Sequence, residues 1–212
     1  EAVLAGELTV MEWAEQELGE TSHFHDHFSV PSSELAPQAQ ESMLQADPQI
    51  VEMFQRYSIH YHLSETFYKN PDHNLMGFVI EEAVYAPLYY GYGGEGEYAD
   101  RKQMARSVEA HIMEVAPDTV LVLVKASPEV IARRMKEDPH DRALVKEDDI
   151  ERVLQRFEEE NVRSFIRRKL TLDTTSVTVE ESLAEFVDKY EPHMTEADRL
   201  RILTHSSSLM AG

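Results

Sequence analysis

Two rhythms alternate along this chain: an apolar recurrence every three to four residues, and short apolar or alternating runs bounded by turn residues. Residues 1–19 place Leu4, Leu8, Met11, Ala14 and Leu18 at helical spacing, with Gly19 where a helix C-cap is usual. Residues 22–28 predict a short strand, with His23, His25 and His27 on one face and Phe24, Asp26 and Phe28 on the other. Pro31 and Ser32-Ser33-Glu34 close it. A helix is expected over about 48–64, with Ile50, Phe54, Tyr57 and Tyr61 on its apolar face and Arg56, His60 and His62 elsewhere. Leu75, Met76, Phe78, Val79 and Ile80 lack polar alternation, as in a parallel strand covered on both faces. Glu81 and Glu82 stand at the end of that run, ahead of an aromatic, glycine-rich stretch that reaches Gly94.

The second half is more regular. Met104, Val108, Ile112 and Val115 mark a helix that ends near Pro117, and residues 119–126 form the plainest strand of the chain. Ser127 and Pro128 are an N-cap and first helical residue for the helix carrying Arg133 and Arg134. Residues 136–149 are polar and of mixed charge, as in a mobile excursion. Ile150, Val153, Leu154 and Phe157 set up a further helix, residues 167–175 a last strand, and Thr178 with Glu181 a capping box for the helix of Val179, Leu183, Phe186, Val187 and Tyr190. Residues 191–212 read as a polar tail. This order is the alternation of an α/β sandwich with a mostly parallel sheet, in a single domain spanning 1–190.

Charge narrows the partners. Forty acidic against twenty basic residues give a formal net charge of -20, which opposes non-specific attraction to nucleic acid or anionic membrane. The chain has no cysteine, which excludes disulfides and thiolate metal sites and is compatible with a reducing compartment. No apolar run approaches the roughly 18 residues of a membrane span, and no signal peptide is visible from Glu1 onward.

The segment VLVLVKASPEVIARRM, a strand leading into a proline-initiated helix that ends in arginines, resembles P-loop nucleoside and nucleotide kinases. SHFHDHFSVP is similar to the second strand of uridine kinases, the Glu81-Glu82 pair resembles the acidic pair of deoxynucleoside kinases, and RKLTLDTTSVTVEESLAEF resembles the closing strand and helix. The resemblance implies a three-layer α/β/α sandwich, a lid near 136–149, and cytoplasmic, Mg2+-assisted phosphotransfer from ATP to a small-molecule acceptor. It also assigns roles. Asp26 would be the general base on the acceptor hydroxyl, with His25 beside it; Glu81 would hold Mg2+ through water, and Glu82 would contact the acceptor. Arg133, Arg134 and Arg142 would close over the phosphates, while Arg56 and Arg101 are further substrate contacts. Tyr85, Tyr89, Tyr90 and Tyr92 would line the acceptor pocket by stacking while offering hydroxyls, though Tyr85 and Tyr89, four residues apart, fit ordinary core contacts equally well.

The motif that defines such kinases, GxxxxGK[ST], is absent from residues 1–212; the nearest string, EAVLAGELT, carries Glu7 where the phosphate-binding lysine belongs. Two expectations follow: a first strand and phosphate loop upstream of Glu1, or a non-catalytic relative that binds a nucleotide or protein partner. A third reading takes HFHDHF as a His/Asp metal site of a hydrolase, although its spacing departs from the HxHxDH pattern. The literal GxGxxG at Gly91 to Gly96 is flanked by Glu95 and Glu97, which suits a flexible loop better than a pyrophosphate site. The residues leave acceptor identity and oligomeric state open.

Overall fold

A computed structural model describes residues 10–25, 29–30, 33–64, 67, 73–139 and 143–210, and has a mixed α/β architecture. Strand β1 (Thr21–His25) is followed by two-residue strands β2 (Ser29–Val30) and β3 (Ser33–Glu34), then helices α1 (Pro37–Leu44) and α2 (Pro48–Tyr61). Strand β4 (His73–Gly77) leads into α3 (Phe78–Tyr85) and, after a loop, α4 (Arg101–Val115). Next come β5 (Val120–Lys125), α5 (Pro128–Glu137), α6 (Ile150–Arg163), β6 (Arg168–Asp173), α7 (Val179–Tyr190) and α8 (Glu196–Met210).

Among the described strands the sheet is made of separate ladders. β1 runs parallel to β4, with His25 opposite Gly77, and β5 runs parallel to β6, with Lys125 opposite Asp173; β2 and β3 form a short antiparallel pair. The two parallel pairs meet through side chains. Leu75 of β4 and Leu121 of β5 both pack on a core built from Ile59, Phe78, Val79, Ala83, Ala105, Val108, Ile112 and Ile166. A second core joins Leu170 and Leu172 of β6 to Phe186 of α7, with Trp13 edge-on to Phe186 at 5.9 Å. β5, expected to be central and covered, is half-buried along all six residues, because β6 is its sole ladder partner among the described strands.

Three other expectations change. The apolar run expected as one strand from Leu75 to Ile80 is split: the strand stops at Gly77, whose φ of 82° and ψ of -95° suit glycine alone, and Phe78 starts a helix at φ 55°. Glu81 and Glu82 consequently ride on the first turns of α3 rather than on a strand end. The polar tail beyond residue 190 contains an ordered helix, α8, where Arg201 donates to the Leu18 carbonyl at 3.3 Å and Asp198 accepts from Thr195 at its start. On α2 the buried residues are Val51, Gln55, Ser58 and Ile59, whereas Ile50, Tyr57 and Tyr61 of the expected apolar face are exposed.

Several local predictions hold in detail. Ser127 caps α5 ahead of Pro128, and Thr178 with Glu181 makes the reciprocal capping box of α7. α3 runs on into a π-helical turn, Ala86–Tyr90, at Pro87, whose missing N–H leaves the regular ladder one donor short. In the expected lid, residues 140–142 lie outside the described residues; Lys136 pairs with Glu147 at 2.7 Å, and Val145 packs beside Ile150.

Candidate functional site

The densest polar construction is assembled around Arg101, the first residue of α4. Asp100 caps that helix through the N–H groups of Lys102 and Gln103 and also accepts from the Gly96 N–H, which fixes where the chain enters α4. Burial pushes the Asp100 carboxyl up, but these donors together hold it below its ordinary value. The Arg101 side chain is buried almost completely and makes three kinds of contact. Its Nε donates to Glu82 Oε2 at 2.9 Å, its Nη1 to Glu52 Oε1 at 2.9 Å, and its Nη2 to the Glu52 carbonyl at 3.3 Å. Its guanidinium also lies over the Tyr92 ring, 4.9 Å from the centroid.

The loop closes this arrangement. Tyr92 donates its hydroxyl to Glu82, and burial, with the Glu82 carboxylate adding to it, pushes that hydroxyl up so that it stays protonated. Gly93 has φ +81°, and a Cβ there would sit 2.6 Å from Arg101 Cγ, so glycine is required both by conformation and by the arginine behind it. The glycine-rich loop is thus a wall for Arg101 rather than a phosphate cradle.

Electrostatics divides the cluster into a floor and a rim. Burial is the largest influence on the Glu82 carboxyl and pushes it above the ordinary carboxylate range, against the pull of Arg101 and Tyr92. Glu52 lies nearer the surface. Its burial acts upward, but hydrogen bonds from Arg56 and Arg101 hold it below the ordinary value. Arg56 pairs with Glu52 one helical turn away and lies over the Tyr98 ring at 5.4 Å, so Glu52, Arg56 and Tyr98 form a part-exposed rim above the Glu82–Arg101 floor. Such a rim offers a carboxylate, a guanidinium and an aromatic face to a small polar molecule.

The residues expected to act together divide into groups. Glu82, Arg101 and Arg56 meet, and Glu81 shares a turn of α3 with Glu82. Tyr85 and Tyr89 belong to a different contact: Tyr85 packs edge-on to Phe157 of α6 at 5.5 Å, and the Tyr89 hydroxyl reaches Asp149 at 3.3 Å. Arg134 is committed to the backbone, donating to the Thr174 carbonyl at 2.7 Å and its Oγ1 at 3.0 Å, where Thr174 in turn bonds the Lys125 carbonyl. It stitches the carboxyl ends of β5 and β6 together. Arg133 is exposed beside Glu137. Asp26 and Arg142 lie outside the described residues, and His25 enters only through the β1 backbone.

Glu52, Gly93 and Asp100 were not anticipated as site residues, and Tyr92, expected to stack on an acceptor, packs against Arg101 and Glu82. Glu52 had a signal in its i,i+4 spacing to Arg56, and Asp100 in its position just before a helix. Nothing in the sequence ties Tyr92 to Glu82 across the intervening turn. A second buried ionic group, Arg106 with Glu109 and Glu160, fastens α4 to α6, and Glu109 also accepts from the Phe165 N–H at 2.8 Å.

Among the described residues no group of three or more histidine, aspartate or glutamate side chains is arranged to hold a metal ion. No helix among them is long and apolar enough to cross a membrane. No family model, curated protein or solved structure matches the chain.

Proposed function

We propose that this chain forms the acceptor-binding part of a cytoplasmic, ATP-dependent phosphotransferase of nucleoside- or nucleotide-kinase type, with a three-layer sandwich as its complete architecture. The observation that carries the reading is the strained corner at the carboxyl end of β4. Phe78 is the one non-glycine residue with positive φ among the described residues, and it directly follows Gly77, which lies opposite the end of β1. Backbone strain of about 1–3 kcal/mol persists where the surroundings over-determine it, often at functional sites. The carboxyl ends of parallel strands are where such sheets bind ligands. The corner launches α3 so that Glu81 and Glu82 follow within one turn, with Glu52, Arg56 and Arg101 behind them.

In this reading Glu52, Arg56 and Tyr98 orient the acceptor, while Glu82 and Arg101 hold that rim in place. Mg2+ usually keeps several waters and takes only one or two protein carboxylates beside the phosphates, so Glu81 alone fits the part without a multi-carboxylate cage. The metal would supply charge neutralisation on the transferred phosphoryl group. Phosphate binding itself needs a loop that residues 1–212 do not contain.

The test is ADP release by the natural full-length protein with ATP and Mg2+, across nucleosides, nucleotides and sugars. The reading expects turnover with one acceptor class and a loss of about 10–100-fold in activity for Glu81→Gln, the size of effect given by an outer-shell carboxylate that supports a metal. No ADP above the protein-free blank for any acceptor would reject it. The runner-up, a non-catalytic nucleotide or protein binder, draws on a specific observation: Arg134 and Arg101 are fully engaged by the protein itself. It expects ATP binding without turnover.

A further inference from the structure

α2 is apolar on both of its sides: Val51 and Ile59 turn into the core, and a second apolar row faces water. Its inward face includes Gln55 and Ser58, at 0% and 3% exposure, while its outward face carries Ile50, Met53, Tyr57 and Tyr61 at 52%, 64%, 62% and 38%. A surface helix ordinarily puts its apolar stripe on the core. The four outward residues fall at i, i+3, i+7 and i+11, the spacing of a helix–helix seam. Tyr98, 94% exposed, stacks on Arg56 at the margin of this face.

We infer that this face is an interface between two copies of the chain, formed by α2 packing antiparallel against α2 across a twofold axis. Three observations select a second copy. The first is self-complementarity: an axis passing near the middle of the helix sets Ile50 of one copy against Tyr61 of the other and Met53 against Tyr57, a thioether–aromatic pairing that is favourable in itself. The second is charge. The chain carries -20, yet the only carboxylate and guanidinium of α2, Glu52 and Arg56, pair with each other, so the helix itself presents no net charge to a like-charged copy. The third is area. Taking about 200 Å2 for a fully exposed large side chain, the four stripe residues alone offer roughly 430 Å2 per copy, more than half of the ~800 Å2 each partner gives to a standard interface.

The arrangement does not depend on the phosphotransfer reading. It does place the seam on the helix that supplies Glu52 and Arg56, so each rim would lie beside the dimer axis.

Sedimentation velocity of the natural chain tests it. A dimer is expected at tens of micromolar, and its association tightens as NaCl rises from about 0.05 to about 0.5 M, because salt screens the long-range repulsion between acidic copies. Met53→Glu with Tyr57→Glu should weaken association by at least about 100-fold, while far-UV circular dichroism stays at the wild-type level and the unfolding midpoint matches wild type when both chains are diluted until the wild type is monomeric. The absence of native cysteine allows a second measurement. Met53→Cys should be captured as a covalent dimer by a short bis-maleimide, and Val162→Cys, 79% exposed on α6, should not. A wild-type chain that remains monomeric at about 100 µM overturns the proposal and leaves the stripe to another kind of partner. A dimer unaffected by the double substitution, or equal cross-linking at both cysteines, overturns it as well.

Discussion

Arg101 shows how a single residue can be legible as charged and illegible in role. The sequence offers it as one of twenty basic residues, a candidate contact for a substrate. Its place at the start of a capped helix, against a glycine that leaves room for its Cγ, makes it the centre of a buried ionic cluster. Removing one partner of such a pair leaves a buried charge uncompensated, so Arg101→Met should cost about 3–5 kcal/mol in urea unfolding. Pairing it with Glu82→Leu should cost less than the single change, since the stranded carboxylate goes too; a single-variant loss under about 1 kcal/mol would contradict the assignment. His62 gives a pH signature. Burial, its largest influence, lowers the imidazole below its ordinary 6.5; the Ser58 carbonyl at 2.8 Å opposes this and nearby His73 adds to it. The unfolded chain therefore takes up a proton more readily than the folded one. The stability due to neutral His62 is fully present above about pH 6.5 and is lost as pH falls below it. His62→Phe, which keeps the ring packing against Phe67 and Phe78, should flatten the acid limb of stability as pH falls below about 6.5.

At the scale of elements, the sequence is reliable where a terminal signal is chemical and weak where only apolarity speaks. Ser127-Pro128 and Thr178 with Glu181 name their helix starts because specific oxygens meet specific N–H groups. Residues 75–80 contain no such marker. A six-residue apolar run suits a buried strand and the buried face of a short helix equally, and here it is both, divided at Gly77. Only the backbone at 77 decides it. Gly77→Ala should therefore destabilise by about 1–3 kcal/mol, since φ 82° with ψ -95° is costly for any residue with a Cβ; an unchanged thermal midpoint would show that the corner is not strained as described. α2 misleads for the opposite reason. Its apolar periodicity is genuine, but its stripe faces outward while Gln55 and Ser58 turn in, and a hydrophobic pattern cannot say which surface covers it.

For the whole molecule, the alternation of helices and strands was readable, and so was the mixed α/β class. The extent of the sheet was not. Pairing depends on which strands are present to share an edge, and a run such as VLVLVK reads as central whether or not neighbours flank it on both sides. Described strands β4 and β5 end up joined only through a cluster of side chains, with Ile59 of α2 fully buried among them. A hydrogen-bonded ladder locks two strands to a residue-by-residue register. Packed side chains hold only a distance, and tolerate small sliding of one element past another, as in shear motions between packed layers. Among the described strands the two parallel ladders are therefore coupled by fit rather than by register, and Ile59 of α2 is one of the residues that supply that fit.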